Sequence, residues 1–570
     1  MLKSIAKSNL STAFVINVLF LSVVLLFFTP GYETNDDTFM MMISGGINGN
    51  APSETLVIFH YTISFLLKYL FSLPININWY TLLQYGVIFL SSIIFSYYLL
   101  KLIKKKTIGI LAVALLLFAF YFRFYITPQY TSNVLILGIA AMVVFLDVIL
   151  NKENSEKKKL LKSAFGIACI VLVALIRDTT IKGLLMIAFP LFFYYFIKLR
   201  SWYIPVFFTL WLAIFFIVST TQRSYYEDKH PECFTRFDAQ QVLLNYPMNP
   251  DQDVLDKVKW SKNDYELMMC WFYVDPLKYN AESMKSLSEQ IHSVRSPKET
   301  ISKFFEGFWS SKRYTLIGLS ILIYLLLRVP TKDKLEIAIL LFSFLGVIGY
   351  LSTRMHLPHR VFVPFLFYAV MLGVVITLYK NNSWKLPDNK ILKSAIIGAF
   401  AVAFAFQVYG NKILINITNT NRLSYNETIA SLKNHDDKVF IVPNCAYPYL
   451  GIPIFTHPKN LELGNIVFTG WLIQLPPFNQ MLAKYNIKNI TKDLYERDDL
   501  YLTITCGYLI QHFIKENYND DIKIVRFDEP GFSYFKLIKQ DEPIPMQGVL
   551  AGTPDPPQND HVETGKANVN

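Results

Sequence analysis

Long apolar runs separated by short, lysine-bearing gaps dominate the polarity pattern of this chain. They fall at 11–28, 55–73, 79–100, 107–122, 133–150, 160–176, 181–197, 203–219, 314–327, 335–351, 361–379 and 391–406. Most are long enough for a helix to cross a hydrocarbon core of about 30 Å. After residue 407 the pattern changes. Val439-Phe440-Ile441-Val442 and Ile522-Lys523-Ile524-Val525 read as strands, 508–518 as an amphipathic helix and 532–537 as a last strand. The stretch 541–570 is rich in Pro, Gly, Asn and Asp without periodicity, which predicts a disordered tail.

Counting every run as a span fails on charge. With the N-terminus inside, Lys101, Lys104, Lys105, Lys106 and Lys157–Lys159 would all lie outside, against the preference of short cytoplasmic loops for positive charge. Run 55–73 carries His60 and Lys68, ends at Pro74 and has no charged loop before Trp79. Read as a helix lying in the outer interface, it restores every loop. The inside loops become 101–106, 151–159, 198–200, 328–334 and 380–390. The outside segments become 29–78, 123–132, 177–180, 220–313, 352–360 and everything after about 407. The predicted fold is a polytopic α-helical membrane protein with about 11 spans and one interfacial helix. Its parts are a transmembrane domain over 1–408, an extracytoplasmic α/β domain over 409–540 and the tail. Within 220–313 helices are expected, because Ser296-Pro297-Lys298-Glu299 forms a capping box with proline at the first helical position.

Composition agrees. The 570 residues are 53% hydrophobic and 17% charged, with mean hydropathy +0.32, whereas soluble domains carry about 25% charge. The net charge of +11 therefore marks loops beside lipid rather than a nucleic-acid partner. Lys3 and Lys7 precede the first run without a small-x-small cleavage site, so that run is read as an uncleaved first helix. Abundant Lys, Asn and Ile point to an AT-rich bacterial genome and hence to a bacterial plasma membrane, N-terminus cytoplasmic. Cys233, Cys270, Cys445 and Cys506 fall outside, so Cys233–Cys270 and Cys445–Cys506 bridges and buried thiols both stay open. No Gly-rich phosphate loop, zinc spacing or Gly-x-Ser-x-Gly is present.

The chemistry concentrates at the outer boundary. Asn35-Asp36-Asp37 follows the first span, and carboxylates beside lipid are costly enough to be functional where they occur. The bland alternative is an N-cap for a helix entered at Thr38. Arg354-Met355-His356-Leu357-Pro358-His359-Arg360 places four potential cations in one outer loop, suited to phosphate or to lipid headgroups. Arg177-Asp178 with Lys182 makes a second basic turn, or a local ion pair capping a helix. Arg123 and Lys68 read as snorkelling to headgroups, His60 as a donor- or acceptor-holding residue or a satisfied interfacial histidine, and Asp147 as facing its lysine-rich loop.

An acidic pair after the first span, an interfacial helix, a ladder of spans and an outer C-terminal domain together resemble the GT-C membrane glycosyltransferases. That superfamily includes protein O-mannosyltransferases, aminoarabinose transferases and phage-type O-antigen glucosyltransferases. The resemblance rests on Asn35-Asp36-Asp37 and on the segment from Pro52 to Leu73 with His60. It implies inverting transfer of a sugar from a polyprenyl-phosphate donor to an envelope glycan, lipid or protein on the extracytoplasmic face. Asp36 or Asp37, with Asp37 preferred, would be the general base. Arg354, His356, His359, Arg360, Arg177 and Lys182 would hold the donor phosphate, and His60 and Asn35 the substrate. No cofactor is expected: the only further carboxylates near enough to help the pair hold a divalent ion are Glu33 and Glu54, and most resembling families work without metal. The alternatives are an envelope polysaccharide polymerase, which would not need the acidic pair, and a flippase or transporter, for which midplane charges and internal repeats would be expected.

Overall fold

The computed structural model describes residues 8–46, 50–245, 250–290, 296–354, 357–380, 390–443, 448–461, 463–473, 475–503, 507–529, 532–545 and 549–550. Among these residues ten helices are long and apolar enough to cross a membrane, or 11 if one sharply bent pair counts as a single span. The chain is a polytopic helical membrane protein with a small sheet at its C-terminal end.

In chain order the helices are α1 (Asn9–Phe27), α2 (Asn35–Gly45), α3 (Tyr61–Ser72), α4 (Trp79–Leu102), α5 (Lys106–Ile126), α6 (Tyr130–Leu150), α7 (Glu156–Ile176), α8 (Thr179–Leu199) and α9 (Tyr203–Lys229). A helical insert follows: α10 (Pro231–Asn245), α11 (Gln252–Asp256), α12 (Lys262–Met269), α13 (Ala281–Gln290) and α14 (Pro297–Ser310). Then come α15 (Lys312–Arg328), α16 (Lys334–Arg354), α17 (His359–Lys380) and α18 (Lys390–Leu432). Each run expected to span forms a long apolar helix except 314–327, which lies in α15, bent 89° from α14. Run 55–73 yields only the 12-residue α3, which exposes Leu66 and Tyr69 and starts six residues later than expected because the side chain of His60 caps it. Helix α14 has the predicted capping box at Ser296 and Glu299. Its Ile301, Phe305 and Trp309 stand exposed one turn apart, a stripe suited to the lipid interface.

Helices α6 and α17 are buried almost all round and form the bundle's centre. At the lysine-rich end two buried carboxylates clamp the helices. Asp147 of α6 accepts from Lys101 at 2.7 Å, Tyr98 at 3.2 Å, Lys162 and Tyr379, joining α4, α6, α7 and α17. Glu336 of α16 does the same with Lys198 at 3.1 Å and Lys380. In α5 a π-helical turn at Leu117–Tyr121 coincides with the two carbonyls that α18 bonds. Gln407 donates to Ala119 O at 2.7 Å and Asn411 to Phe118 O at 3.3 Å. Helix α18 therefore runs unbroken through residue 408, where the sequence placed a domain boundary.

The C-terminal domain adds β1 (Val439–Val442), β2 (Ile466–Phe468), α19 (Pro476–Lys484), α20 (Ile490–Glu496), β3 (Leu500–Leu502), α21 (Gly507–Tyr518), β4 (Ile522–Glu529), β5 (Phe532–Lys539) and β6 (Val549–Leu550). The sheet order is β2-β1-β3-β5-β4-β6, with β1 parallel to β2 and β3 and the rest antiparallel. Strand β6 lies inside the expected disordered tail and pairs with β4; residues 546–548 and 551–570 of that tail lie outside the described residues. No bridge joins Cys233 to Cys270, and Cys445 and Cys506 fall outside the described residues.

Asp147→Asn leaves two lysines without their counter-charge and is expected to lower stability by about 3 kcal/mol. Reversible detergent unfolding reads this, and an unchanged midpoint would show that the clamp holds nothing.

Candidate active site

Residue Thr34 is the N-cap of α2, so Asn35, Asp36 and Asp37 occupy its first turn, where carboxylates meet the positive end of the helix dipole. Neither aspartate is a cap, and the helix begins three residues before the expected Thr38. Gly45, in its last turn, lets α2 approach the C-terminal domain, since a Cβ there would sit 2.4 Å from Pro458. Phe39 packs on Tyr449 and Phe468 of that domain, with ring centroids at 4.8 and 5.9 Å.

The two aspartates differ in kind. Asp37 is 0% exposed and accepts three hydrogen bonds: Thr34 Oγ1 at 2.9 Å, Tyr80 OH at 2.8 Å and the Tyr130 backbone N–H at 3.1 Å. Burial pushes its carboxyl up to about 8, the three donors and neighbouring Asp36 acting as smaller influences. Asp36 is only half-buried. Asp36, Asp37, Arg177 and Arg360 all lie close enough to the Tyr130 phenol to act on it electrostatically. Arg177, just past the end of α7, donates to Tyr130 OH at 2.6 Å and lays its guanidinium 5.0 Å from the ring centre. Arg360 stands in the first turn of α17, its carbonyl accepting from Ser132 Oγ at 2.9 Å. Two arginines and two carboxylates thus lie within electrostatic reach of one tyrosine at the end of the bundle that carries the sheet domain.

A second cationic group adjoins it. Arg123, expected to snorkel, is 9% exposed and paired with Glu33 at 2.8 Å. Arg123 and Arg313 both act on His359, whose Nδ1 lies 2.5 Å from Ser311 Oγ at the bend between α14 and α15. His359 is therefore engaged within the fold, while its neighbour Arg360 is near enough to Tyr130 to act on it.

Other candidates are not gathered here. Lys182 is exposed and lies over the Phe215 ring at 5.0 Å. Arg354 is exposed and stacks on Tyr350 of its own helix at 5.7 Å. His356 lies outside the described residues. His60 has both ring nitrogens engaged, with Thr62 Oγ1 at 2.9 Å and Thr221 Oγ1 at 3.0 Å, and burial holds its pKa below the usual value despite nearby Asp178. It joins α3 to α9. Asp178 caps α8 and accepts from Ser219 Oγ at 2.5 Å. Asn35 is half-buried at the first position of α2. Lys68 pairs with Glu54 at 2.6 Å rather than reaching headgroups. Tyr80, Tyr130 and Arg313 had no sequence signal, being a few among many aromatic and basic residues.

No protein-family model and no curated protein matches the sequence. Among solved structures, ArnT from Cupriavidus metallidurans bound to undecaprenyl phosphate is 10% identical at TM-score 0.37, over 93% of this chain and 97% of that one. The oligosaccharyltransferase AglB from Archaeoglobus fulgidus, in complex with an inhibitory peptide and a dolichol-phosphate, is 10% identical at TM-score 0.38, over 96% of this chain and 76% of that one. At these TM-scores the likeness carries no argument.

An acid whose pKa is raised by folding adds stability that is full below the unfolded value, 3.8, and is lost as pH climbs toward about 8. Asp37→Asn imitates the protonated acid and is expected to flatten the fall in unfolding midpoint between about pH 5 and 8. Parallel falls in both proteins would show that another group titrates.

Proposed function

We propose that this chain is a membrane glycosyltransferase that moves a sugar from a polyprenyl-phosphate donor to an acceptor hydroxyl, with inversion. The observation that carries the reading is the half-buried Asp36 carboxylate in the same cluster as Arg177 and Arg360, at the end of a helical bundle built for lipid. Asp36 is the base. It takes the acceptor's proton as that oxygen forms its bond to the anomeric carbon. The bond from that carbon to the phosphate oxygen breaks on the opposite face, and the electron pair leaves with the polyprenyl phosphate. Arg360, Arg177 and the N-terminal end of α17 neutralise the charge that develops on the phosphate. The reading assigns that charge neutralisation to arginine rather than to a divalent ion.

Asp37, preferred from sequence, takes a positioning role in this proposal. Its two oxygens are occupied by three donors, and its carboxyl, lifted to about 8, is mostly protonated near neutral pH. A base must reach its proton within about 3 Å, and the half-buried neighbour is the one open to do so.

Short lysine-rich loops favour the cytoplasmic side, which supports reading the aspartates, the insert and the sheet domain as extracytoplasmic, in a bacterial plasma membrane. The acceptor is then an envelope glycan, lipid or protein.

The test is transfer of label from polyprenyl-phosphate sugars by the purified protein. Asp36→Asn is expected to lose about 10²–10⁴-fold in turnover, the usual worth of a general base, and Asp37→Asn to lose less. Wild-type turnover in Asp36→Asn would refute the assignment.

A further inference from the structure

Away from the aspartates, the helical insert between α9 and α14 buries a cluster of hydrogen-bond donors. Helix α10 packs along α13 and directs Arg236 and Gln240, one turn apart, inward. These residues and Tyr273 are 6%, 3% and 1% exposed. Arg236 Nε and Nη1, Gln240 Nε2 and the Tyr273 hydroxyl are all closed off from solvent with no partner among the described residues. Arg236 and Tyr273 are near enough to influence each other electrostatically.

A buried guanidinium without a counter-charge is among the least favourable things a fold can hold. The nearby groups do not supply one. Burial pushes the Cys233 thiol up to about 12, which leaves it neutral. Glu232, one turn earlier on α10, is exposed and is the weakest of the charges acting on Arg236. Burial lowers the arginine to about 10, still cationic at neutral pH. The cluster thus offers donors and positive charge together, the complement of an oxyanion.

We propose that Arg236, Gln240 and Tyr273 form a binding site for an oxyanion, a carboxylate or a phosphate, within the insert and separate from the Asp36 cluster. The inference stands whether or not the chain transfers sugar. The same chemistry arrives either as an acidic group on a saccharide or as free phosphate.

Thermal unfolding of the full-length protein in detergent tests this at constant ionic strength, with inorganic phosphate or sodium glucuronate replacing chloride. The wild-type midpoint is expected to rise by roughly 2 °C or more with at least one of the two. A response to phosphate alone supports a phosphate site, and a response to glucuronate alone or to both supports a site that takes acidic saccharides. Arg236→Gln is expected to lose the response, yet without added anion to melt no lower than wild type, because it sheds an uncompensated charge. Glu232→Gln is expected to keep the response. The proposal is overturned if wild type responds to neither anion, if Arg236→Gln responds equally, or if Arg236→Gln melts well below wild type without anion. Loss of the response in Glu232→Gln also overturns it.

Discussion

The arrangement at the sheet-domain end depends on one buried carboxylate. Asp37 sits without solvent between the first turn of α2, the start of α4 and the start of α6, holding a hydrogen bond from each. A polar group so enclosed is tolerable only when satisfied, and once satisfied it admits little movement of its partners. Its bond to the Tyr130 backbone places the Tyr130 ring beside Asp36. The same ring receives Arg177 from the end of α7. The order of this cluster thus runs outward from one fully buried acid.

The opposite end of the bundle uses the same device for a different purpose. Asp147 and Glu336 each gather lysines and tie together helices distant in sequence. Buried ion pairs add little net stability but penalise wrong neighbours heavily. Between the two ends the buried helix surfaces are mostly apolar and discriminate poorly between packing partners in lipid, apart from interhelical hydrogen bonds such as Asn17 to Ser96 and Tyr368 to the Ile187 carbonyl. Charged and polar clamps at both boundaries therefore set which helices meet. The π-helical turn of α5 extends this, since the Phe118 and Ala119 carbonyls receive Gln407 and Asn411 and hold α18 against the bundle. That helix in turn carries the sheet domain onto α2.

Much of the architecture was legible because its determinants are local. Apolar length identified the ten helices long enough to cross a membrane, and the strands at 439–442, 522–525 and 532–537 followed from β-branched and aromatic composition. What escaped the sequence depends on partners far along the chain. The surroundings of Asp36 and Asp37 differ through Tyr80 and Tyr130, 43 and 93 positions from Asp37. Arg123 looked like a snorkelling residue because Glu33 is 90 positions away. Of the basic candidates, Arg177 and Arg360 come within electrostatic reach of Tyr130, whereas Arg354 and Lys182 rest on nearby aromatic rings, a distinction that no spacing rule contains. The boundary placed at residue 408 missed a helix that continues because its polar residues find carbonyls on α5.

The central claim is spatial: an aspartate able to take a proton and two arginines able to hold a phosphate lie around Tyr130, whose backbone Asp37 holds. Determining the structure of the protein with a polyprenyl phosphate bound tests it most directly. The account predicts the phosphate within hydrogen-bonding distance of Arg360 or Arg177, with Asp36 facing the space where an acceptor would enter. A phosphate seated at the lysine-rich end, or beside Arg354 and Lys182 with Asp36 remote, would contradict it.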